Sequence, residues 1–260
     1  MKQSHVKTGA CDVRCWSTGS GAPLLYLHGF ECHPGAAPFL EKLGQRHAVT
    51  APEHPGYGAS AGLENIRDIH DETLYYRAFV EGLGVGPVDI VGHSLGGMLA
   101  AELAVLAPQL VRNLVLVAPY GLWDDGHPLP DPFVMRPNVL AQAKWADPTR
   151  AETEPTAFDA AQNGSPNEYR TTNLSAATKL MWPIPDKGLA RRLPYLKAPT
   201  LILGGERDGL IPPAYDAVWR KALPHAEIKR IANAGHLPMI EAEGAFLDAV
   251  ETFLAKGRAL

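Results

Sequence analysis

Residues 88–97 read Val-Asp-Ile-Val-Gly-His-Ser-Leu-Gly-Gly, and the run that follows, residues 98–107, is rich in alanine and leucine. The first four residues predict a buried strand, and the later run predicts a helix. A Gly-x-Ser-x-Gly motif between a strand and a helix predicts a sharp, strained turn that holds the serine Oγ over the carboxyl edge of a sheet. The outer glycines are expected because bulkier residues would crowd each other there. Ser94 is therefore the candidate nucleophile, at a helix N-terminus that favours developing negative charge.

A serine hydroxyl needs a base to take its proton, and the base needs an acid to orient it. The chain has ten histidines. His236 is the candidate base because it lies between an apolar strand and the C-terminal helix, and Asp208 is the candidate acid because it follows another buried strand. The order serine, aspartate, histidine along the chain is the one that this turn predicts. Asp124 and Asp125, which follow the strand predicted at 112–118, remain an alternative source of the acid.

Chemistry at a carbonyl group also needs hydrogen-bond donors for the developing oxyanion. His28-Gly29-Phe30 follows a predicted strand, so the Phe30 N–H is one candidate donor. The Leu95 N–H, on the residue after the nucleophile, is the second. We interpret His28 as a structural loop histidine and His33 as a solvated loop residue.

Short strand-like runs alternate with helix-like runs through most of the chain, a pattern typical of a mostly parallel sheet with helices on both faces. The stretch from Pro119 to Pro199 breaks this pattern, since it holds 12 of the 23 prolines and three of the five tryptophans. Proline lacks the N–H donor that a central strand needs. We therefore predict a core domain at residues 1–119 and 196–260, with a helical cap, or lid, inserted at residues 120–195.

The predicted cap supplies large apolar side chains, which suggest a pocket for an aliphatic or aromatic substrate. Trp182 is the preferred pocket residue, because Trp182-Pro183 lies where the cap turns back towards the sheet. Trp123 and Leu237, the latter beside the candidate base, are further substrate-binding candidates. The large apolar residues of the predicted cap are Trp123, Phe133, Trp145, Phe158, Met181 and Trp182.

Five segments of the chain together resemble successive landmarks of the α/β-hydrolase superfamily, in particular its cap-bearing branch. These segments are Pro23–Gly29, Glu53–Ser60, Gly92–Gly97, Ala198–Asp208 and Ala234–Pro238. The resemblance implies an eight-stranded, mostly parallel sheet and a serine esterase whose catalytic triad is Ser94, His236 and Asp208. It further implies hydrolysis of a small carboxylic ester through an acyl-enzyme, with Phe30 and Leu95 forming the oxyanion hole.

Carbon–carbon bond hydrolases that act on meta-cleavage products also resemble this chain. They usually carry asparagine just before the serine and tryptophan just after the catalytic histidine, where this chain has His93 and Leu237. Hydrolysis of a carbon–carbon bond therefore stays an alternative, as does a hydrolase-fold receptor with little turnover.

Composition and charge limit the kinds of binding partner and the cellular compartment that we expect. A formal charge of −4 and a pI near 6.2 argue against a nucleic-acid or membrane partner. Three cysteines and an N-terminus without a signal-type apolar run predict a cytoplasmic protein with reduced thiols. No metal-ligand spacing or phosphate-binding glycine loop occurs, so neither a metal nor a cofactor is expected. The expected partner is a small apolar ester, and a homodimer is left open.

Overall fold

A computed structural model describes residues 1–158 and 165–257 of the chain. Eight strands form a single sheet in the order β1-β2-β4-β3-β5-β6-β7-β8. The pairs β1–β2 and β2–β4 are antiparallel, and every other pair is parallel. The prediction of a mostly parallel eight-stranded sheet is therefore confirmed. The strands are β1 (Lys2–Thr8), β2 (Cys11–Thr18), β3 (Ala22–Leu27), β4 (His47–Pro52), β5 (Val88–His93), β6 (Val111–Val117), β7 (Thr200–Gly205) and β8 (Glu227–Ile231).

Helices connect most of the parallel strands, and short 3₁₀ turns lie at Leu63–Asn65, Pro108–Leu110, Pro148–Thr153 and Leu193–Tyr195. In the described residues the helices are α1 (Pro38–Leu43), α2 (Ile69–Leu83), α3 (Leu95–Leu106), α4 (Pro137–Lys144), α5 (Pro166–Met181), α6 (Leu189–Arg192), α7 (Tyr215–Ala222), α8 (Pro238–Glu241) and α9 (Glu243–Lys256).

The sheet is covered on both faces, which explains why β5 is buried along its whole length. Successive residues of a strand point to opposite faces. Ile90 belongs to an apolar cluster with residues of α2 and α3, whereas Val91 belongs to a second cluster with residues of α1 and α9. The centre of the sheet therefore lies between two apolar layers and holds its edge loops in fixed positions.

Because β3, β5, β7 and β8 run parallel, the loops after their carboxyl ends meet at one edge of the sheet. These loops carry Phe30, Ser94, Asp208 and His236 respectively. Residues far apart in the chain are thereby brought to one place.

The chain between β6 and β7 contains α4, α5 and α6, and none of its described residues forms a strand. It contacts the core at several points. The Ala157 N–H donates to the His33 carbonyl over 2.8 Å, and the Asn173 side chain donates to the Glu31 carbonyl over 2.8 Å. The division into a core and a cap at residues 120–195 stays a prediction. Within residues 1–158 and 165–257, no helix has the length and apolar character needed to cross a membrane.

Candidate active site

Ser94 lies at the junction of β5 and α3 with a backbone conformation that few residues other than glycine adopt, φ 57° and ψ −116°. Its N–H donates to the Val117 carbonyl on β6 over 2.8 Å, which anchors the turn to the neighbouring strand. A Cβ atom at Gly92 would lie 2.4 Å from the Gly96 carbonyl oxygen, and one at Gly96 would lie 2.3 Å from the Leu27 carbonyl oxygen. Glycine at both positions is therefore required by the close approach of the backbone.

The structure brings Ser94, His236 and Asp208 together in a buried hydrogen-bonded chain. His236 Nδ1 lies 2.9 Å from Asp208 Oδ2, and His236 Nε2 lies 2.9 Å from Ser94 Oγ. A carboxylate only accepts, so Nδ1 carries the imidazole proton and Nε2 keeps a free lone pair. That lone pair accepts the Ser94 hydroxyl proton, which is the arrangement a general base needs.

Asp208 is held by backbone donors as well as by His236. Its Oδ1 accepts the N–H groups of Leu210 and Ile211 over 2.8 and 2.9 Å. These bonds satisfy a buried carboxylate oxygen and so offset the cost of its burial. They also leave Oδ2 directed at the imidazole, so that Asp208 can orient the base.

The alternative acids lie elsewhere and have other partners. Asp124 Oδ2 is 2.8 Å from His127 Nδ1, and Asp125 Oδ1 accepts the Trp123 indole N–H over 2.8 Å. Both groups are partly or fully exposed to solvent. Neither is hydrogen-bonded to His236, so the geometry favours Asp208 as the orienting acid.

Phe30 and Leu95, the two candidate oxyanion donors, lie on segments that are joined to each other. The Gly96 N–H donates to the His28 carbonyl over 2.9 Å, and the Phe30 carbonyl accepts the Tyr57 hydroxyl over 3.1 Å. A Cβ atom at Gly29 would lie only 3.2 Å from Ser94 Cβ. The loop that carries Phe30 is therefore packed against the serine turn, and Leu95 is the first residue of α3. Their role as donors stays a prediction.

Two histidines near this loop are buried. His28 Nε2 accepts the His54 N–H over 2.8 Å and its Nδ1 donates to the Gly29 carbonyl over 2.8 Å, a structural role. The interpretation of His33 as solvated is wrong. Its ring is fully buried and stacks on Trp16 at 4.2 Å, and its Nδ1 accepts the Gly35 N–H. Loop residues give no periodic pattern from which this packing could be predicted.

A small cavity of about 30 Å³ lies beside the hydrogen-bonded chain. Its walls include Phe30 and Leu237, so the structure brings this candidate substrate-binding residue to the site. Trp182, the preferred pocket residue from the sequence, is instead 56% exposed on the surface. Trp123 lines a separate groove with Phe133, and this groove does not include the three candidate catalytic residues. The structure therefore places neither tryptophan at the cavity beside His236, because composition alone does not tell which way a cap side chain points.

Several residues of the cavity wall were missed by the sequence analysis. His93 is buried, and its Nε2–H donates to the His236 carbonyl over 2.9 Å. Burial above all, and then the nearby His236, hold the pKa of His93 well below its usual value, so this ring is neutral. Lys144, Glu31 and Glu154 form a charged part of the same wall. In the sequence, Glu31 alone could have been linked to the site, because it directly follows Phe30.

No cluster of three or more side chains among the described residues could hold a metal ion.

Comparison with known proteins gives a consistent family. The sequence profile described as "Alpha/beta hydrolase family" matches residues 24–249. A pimeloyl-[acyl-carrier protein] methyl ester esterase from Xanthomonas oryzae pv. oryzae is 28% identical, covering 91% of this chain and 96% of the relative. A protein from Mycobacterium tuberculosis named for a non-heme bromoperoxidase, BpoC, is 30% identical, covering 93% of this chain and 97% of the relative.

Solved structures share the fold at low sequence identity. Est816, an N-acyl homoserine lactone degrading enzyme, has a TM-score of 0.76 at 25% identity, covering 96% of this chain and 100% of its own. The meta-cleavage product hydrolase CumD has a TM-score of 0.74 at 18% identity, covering 97% of this chain and 98% of its own. At 18% identity, the second comparison speaks for the fold alone.

Proposed function

This chain belongs to the alpha/beta hydrolase family, and from that membership we propose that it hydrolyses a small carboxylic ester through an acyl-enzyme on Ser94. The observation that carries the proposal is the hydrogen-bonded chain from Asp208 through His236 to Ser94 Oγ. The esterase name of a relative that aligns over nearly the whole chain supports the same chemistry. We further propose that residues 120–195 act as a cap over the site.

In the first half of the reaction, His236 Nε2 takes the hydroxyl proton while Ser94 Oγ attacks the carbonyl carbon of the ester. The imidazolium that forms is stabilised by Asp208 through Nδ1. The Phe30 and Leu95 N–H groups stabilise the oxyanion of the tetrahedral intermediate. When this intermediate collapses, the alcohol leaves with the proton that His236 received, and the acyl group stays on Ser94.

In the second half, a water molecule repeats these steps on the acyl-enzyme. His236 takes a proton from the water as its oxygen attacks the acyl carbon, and it returns this proton to Ser94 Oγ as the carboxylic acid is released. The fixed tautomer of His236 suits both directions of proton transfer, because Nε2 is the only ring nitrogen that faces the serine.

The proposal is tested with p-nitrophenyl esters graded by acyl length, measured beside a dienone diketone acid that reports cleavage of a carbon–carbon bond. We expect turnover of the short esters and none of the diketone acid. Ser94→Ala should lower ester turnover by about six orders of magnitude, the scale on which serine proteases lose activity without their nucleophile. Turnover of the diketone acid alone would show that the enzyme is a carbon–carbon bond hydrolase. Turnover of neither substrate would favour a hydrolase-fold receptor.

A further inference from the structure

An ion cluster around the buried Lys144 joins the chain between β6 and β7 to the loop that carries Phe30. The Lys144 ammonium group donates to Glu31 and lies 2.5 Å from Glu154 Oε2. Arg170 adds a longer contact of 3.4 Å to Glu31 Oε1. The Lys144 side chain is only 7% exposed, whereas Glu31, Glu154 and Arg170 are partly exposed. A buried charge of this kind is stable only with close partners, and here both carboxyl groups supply them.

The pKa values of the two carboxyl groups in the cluster are shifted in opposite directions. Burial raises the pKa of Glu31, but Lys144 and Arg170 lower it by more, so Glu31 is ionised. For Glu154, burial raises the pKa by more than Lys144 lowers it. The Lys144 ammonium group contacts both Glu31 and Glu154, so Glu154 can be altered without leaving Lys144 unpaired.

The cluster lies between the cavity beside His236 and a more open pocket. On its inner side is the cavity of about 30 Å³ beside His236, which has room for only one or two water molecules. On its outer side is a pocket of about 190 Å³ that reaches solvent. Glu31, Cys32 and Glu154 line both the inner cavity and the outer pocket, so these side chains are the partition between them.

We propose that Glu154, with Cys32 and the Lys144–Glu31 pair, forms a wall that limits the length of the acyl group the enzyme accepts. The proposal rests on the proposed ester hydrolysis and adds a specificity-determining residue to it. An acyl group bound beside Phe30 and Leu237 fills the inner cavity and then meets this wall. A longer apolar chain would have to displace bulky side chains and lie against buried charges, both of which cost free energy.

Shortening a side chain of this wall should connect the inner cavity with the outer pocket. Glu154→Ala removes most of the side chain while Lys144 keeps Glu31, and Cys32→Ala removes one sulfur atom from the same partition with no change in charge. We expect Glu154→Ala to raise the ratio of kcat/KM for p-nitrophenyl octanoate over acetate by about tenfold or more, the scale set by contacts of a few methylene groups. Cys32→Ala should raise the ratio in the same direction by a smaller factor.

Two control variants test whether any substitution in this part of the protein would raise the ratio of kcat/KM for octanoate over acetate. Glu152→Ala alters an exposed carboxylate two residues before Glu154, and Trp182→Ala alters the exposed tryptophan. Both should leave the ratio within about twofold of the wild type, because neither side chain lines the inner cavity. An unchanged ratio in both wall variants, or an equal rise in the controls, would overturn the proposal.

Fluorophosphonates with short and long alkyl chains test whether the wall limits chain length, and they do so without requiring turnover of a carboxylic ester. Ser94 Oγ forms a bond to phosphorus, fluoride leaves, and His236 takes the hydroxyl proton. If these probes label Ser94 but no ester is turned over, the proposed function fails while the wall is still tested, since Glu154→Ala should speed labelling by the long probe relative to the short one. The same relative rates in the wild type and in both wall variants would refute the wall directly. Absence of labelling in the wild type would refute both proposals.

Discussion

Two imidazole–carboxyl pairs are buried among the residues that the structure describes, and they are built differently. In one, His236 Nδ1 lies 2.9 Å from Asp208 Oδ2. In the other, His54 Nδ1 lies 3.4 Å from Glu72 Oε1, an atom with no hydrogen-bond partner among the described residues. A buried histidine beside a buried acid is thus not enough to indicate a catalytic pair.

The difference lies in what each nitrogen and each oxygen contacts. His54 Nδ1 accepts the Tyr76 hydroxyl over 2.5 Å and its Nε2–H donates to the His28 carbonyl, so both nitrogens have structural partners. Burial raises the pKa of Glu72 to about 8 and lowers that of His54 to about 4, which keeps both groups neutral. Asp208 instead receives two backbone N–H groups, and His236 turns its free nitrogen to a serine. Two backbone donors to the carboxylate and an imidazole nitrogen directed at a serine therefore distinguish the His236–Asp208 pair from the His54–Glu72 pair.

The largest expected effect is a loss of catalysis that only one pair should show. Asp208→Asn should lower kcat for a short ester by about 10³ or more, since the corresponding change in a serine protease costs about 10⁴ by favouring the wrong tautomer. Glu72→Gln should change kcat by less than about threefold, because Glu72 orients no catalytic proton. Both are measured with p-nitrophenyl acetate. Equal losses in the two variants would remove the distinction between the pairs.

The second-largest effect is expected on stability, and it should come from the His54–Glu72 pair. The pKa of Glu72 is about 8 in the folded protein against an ordinary value of 4.5. Its stabilising contribution is therefore complete below pH 4.5 and is lost as the pH rises towards 8. Across that window the free energy of unfolding should fall more steeply in the wild type than in Glu72→Gln, by up to about 1.4 kcal/mol per pH unit.

Urea unfolding of both proteins at pH 5 and pH 7.5 measures this difference. His54 has a lowered pKa, so its own effect runs the other way, with stability lost as the pH falls from 6.5 towards 4. Because His54 is present in both proteins, its contribution cancels to first order when they are compared. Identical pH dependence in the two proteins would show that Glu72 is ionised in the fold.

The smallest effects are expected at the exposed carboxylates that the sequence offered as alternatives. Asp124→Asn and Asp125→Asn should each leave kcat within about twofold of the wild type, since the two groups bond to His127 and to Trp123. The measurement is the same ester assay. A loss of 10³ in either variant, with a mild effect in Asp208→Asn, would move the orienting acid to the loop after β6.

The sequence was most informative where local sterics dictate residue type. Gly92 and Gly96 are demanded by backbone atoms only a few ångströms away, so the turn at Ser94 could be predicted from ten residues. Asp208 and His236 could be predicted because each follows a strand of a parallel sheet, and such loops meet at one edge. These predictions needed no knowledge of contacts between distant side chains.

The walls of the site could not be predicted in the same way. Lys144 meets Glu31 across 113 positions of the chain, and no periodic pattern encodes such a contact. Trp182 is large and apolar yet exposed, while His33 is polar yet buried under Trp16. In irregular segments the direction of a side chain is set by tertiary packing, so its residue type alone is a poor guide.

Activation of Ser94 by His236 is tested most directly by labelling the protein with a small fluorophosphonate and locating the added mass by peptide mapping. We predict a single phosphonylated residue, Ser94, with slow labelling in His236→Ala and none in Ser94→Ala. A matched reaction of Glu72→Gln should proceed at the wild-type rate. Phosphonylation of another residue, or labelling of Ser94→Ala at the rate of the wild type, would contradict the assignment of Ser94 as the nucleophile.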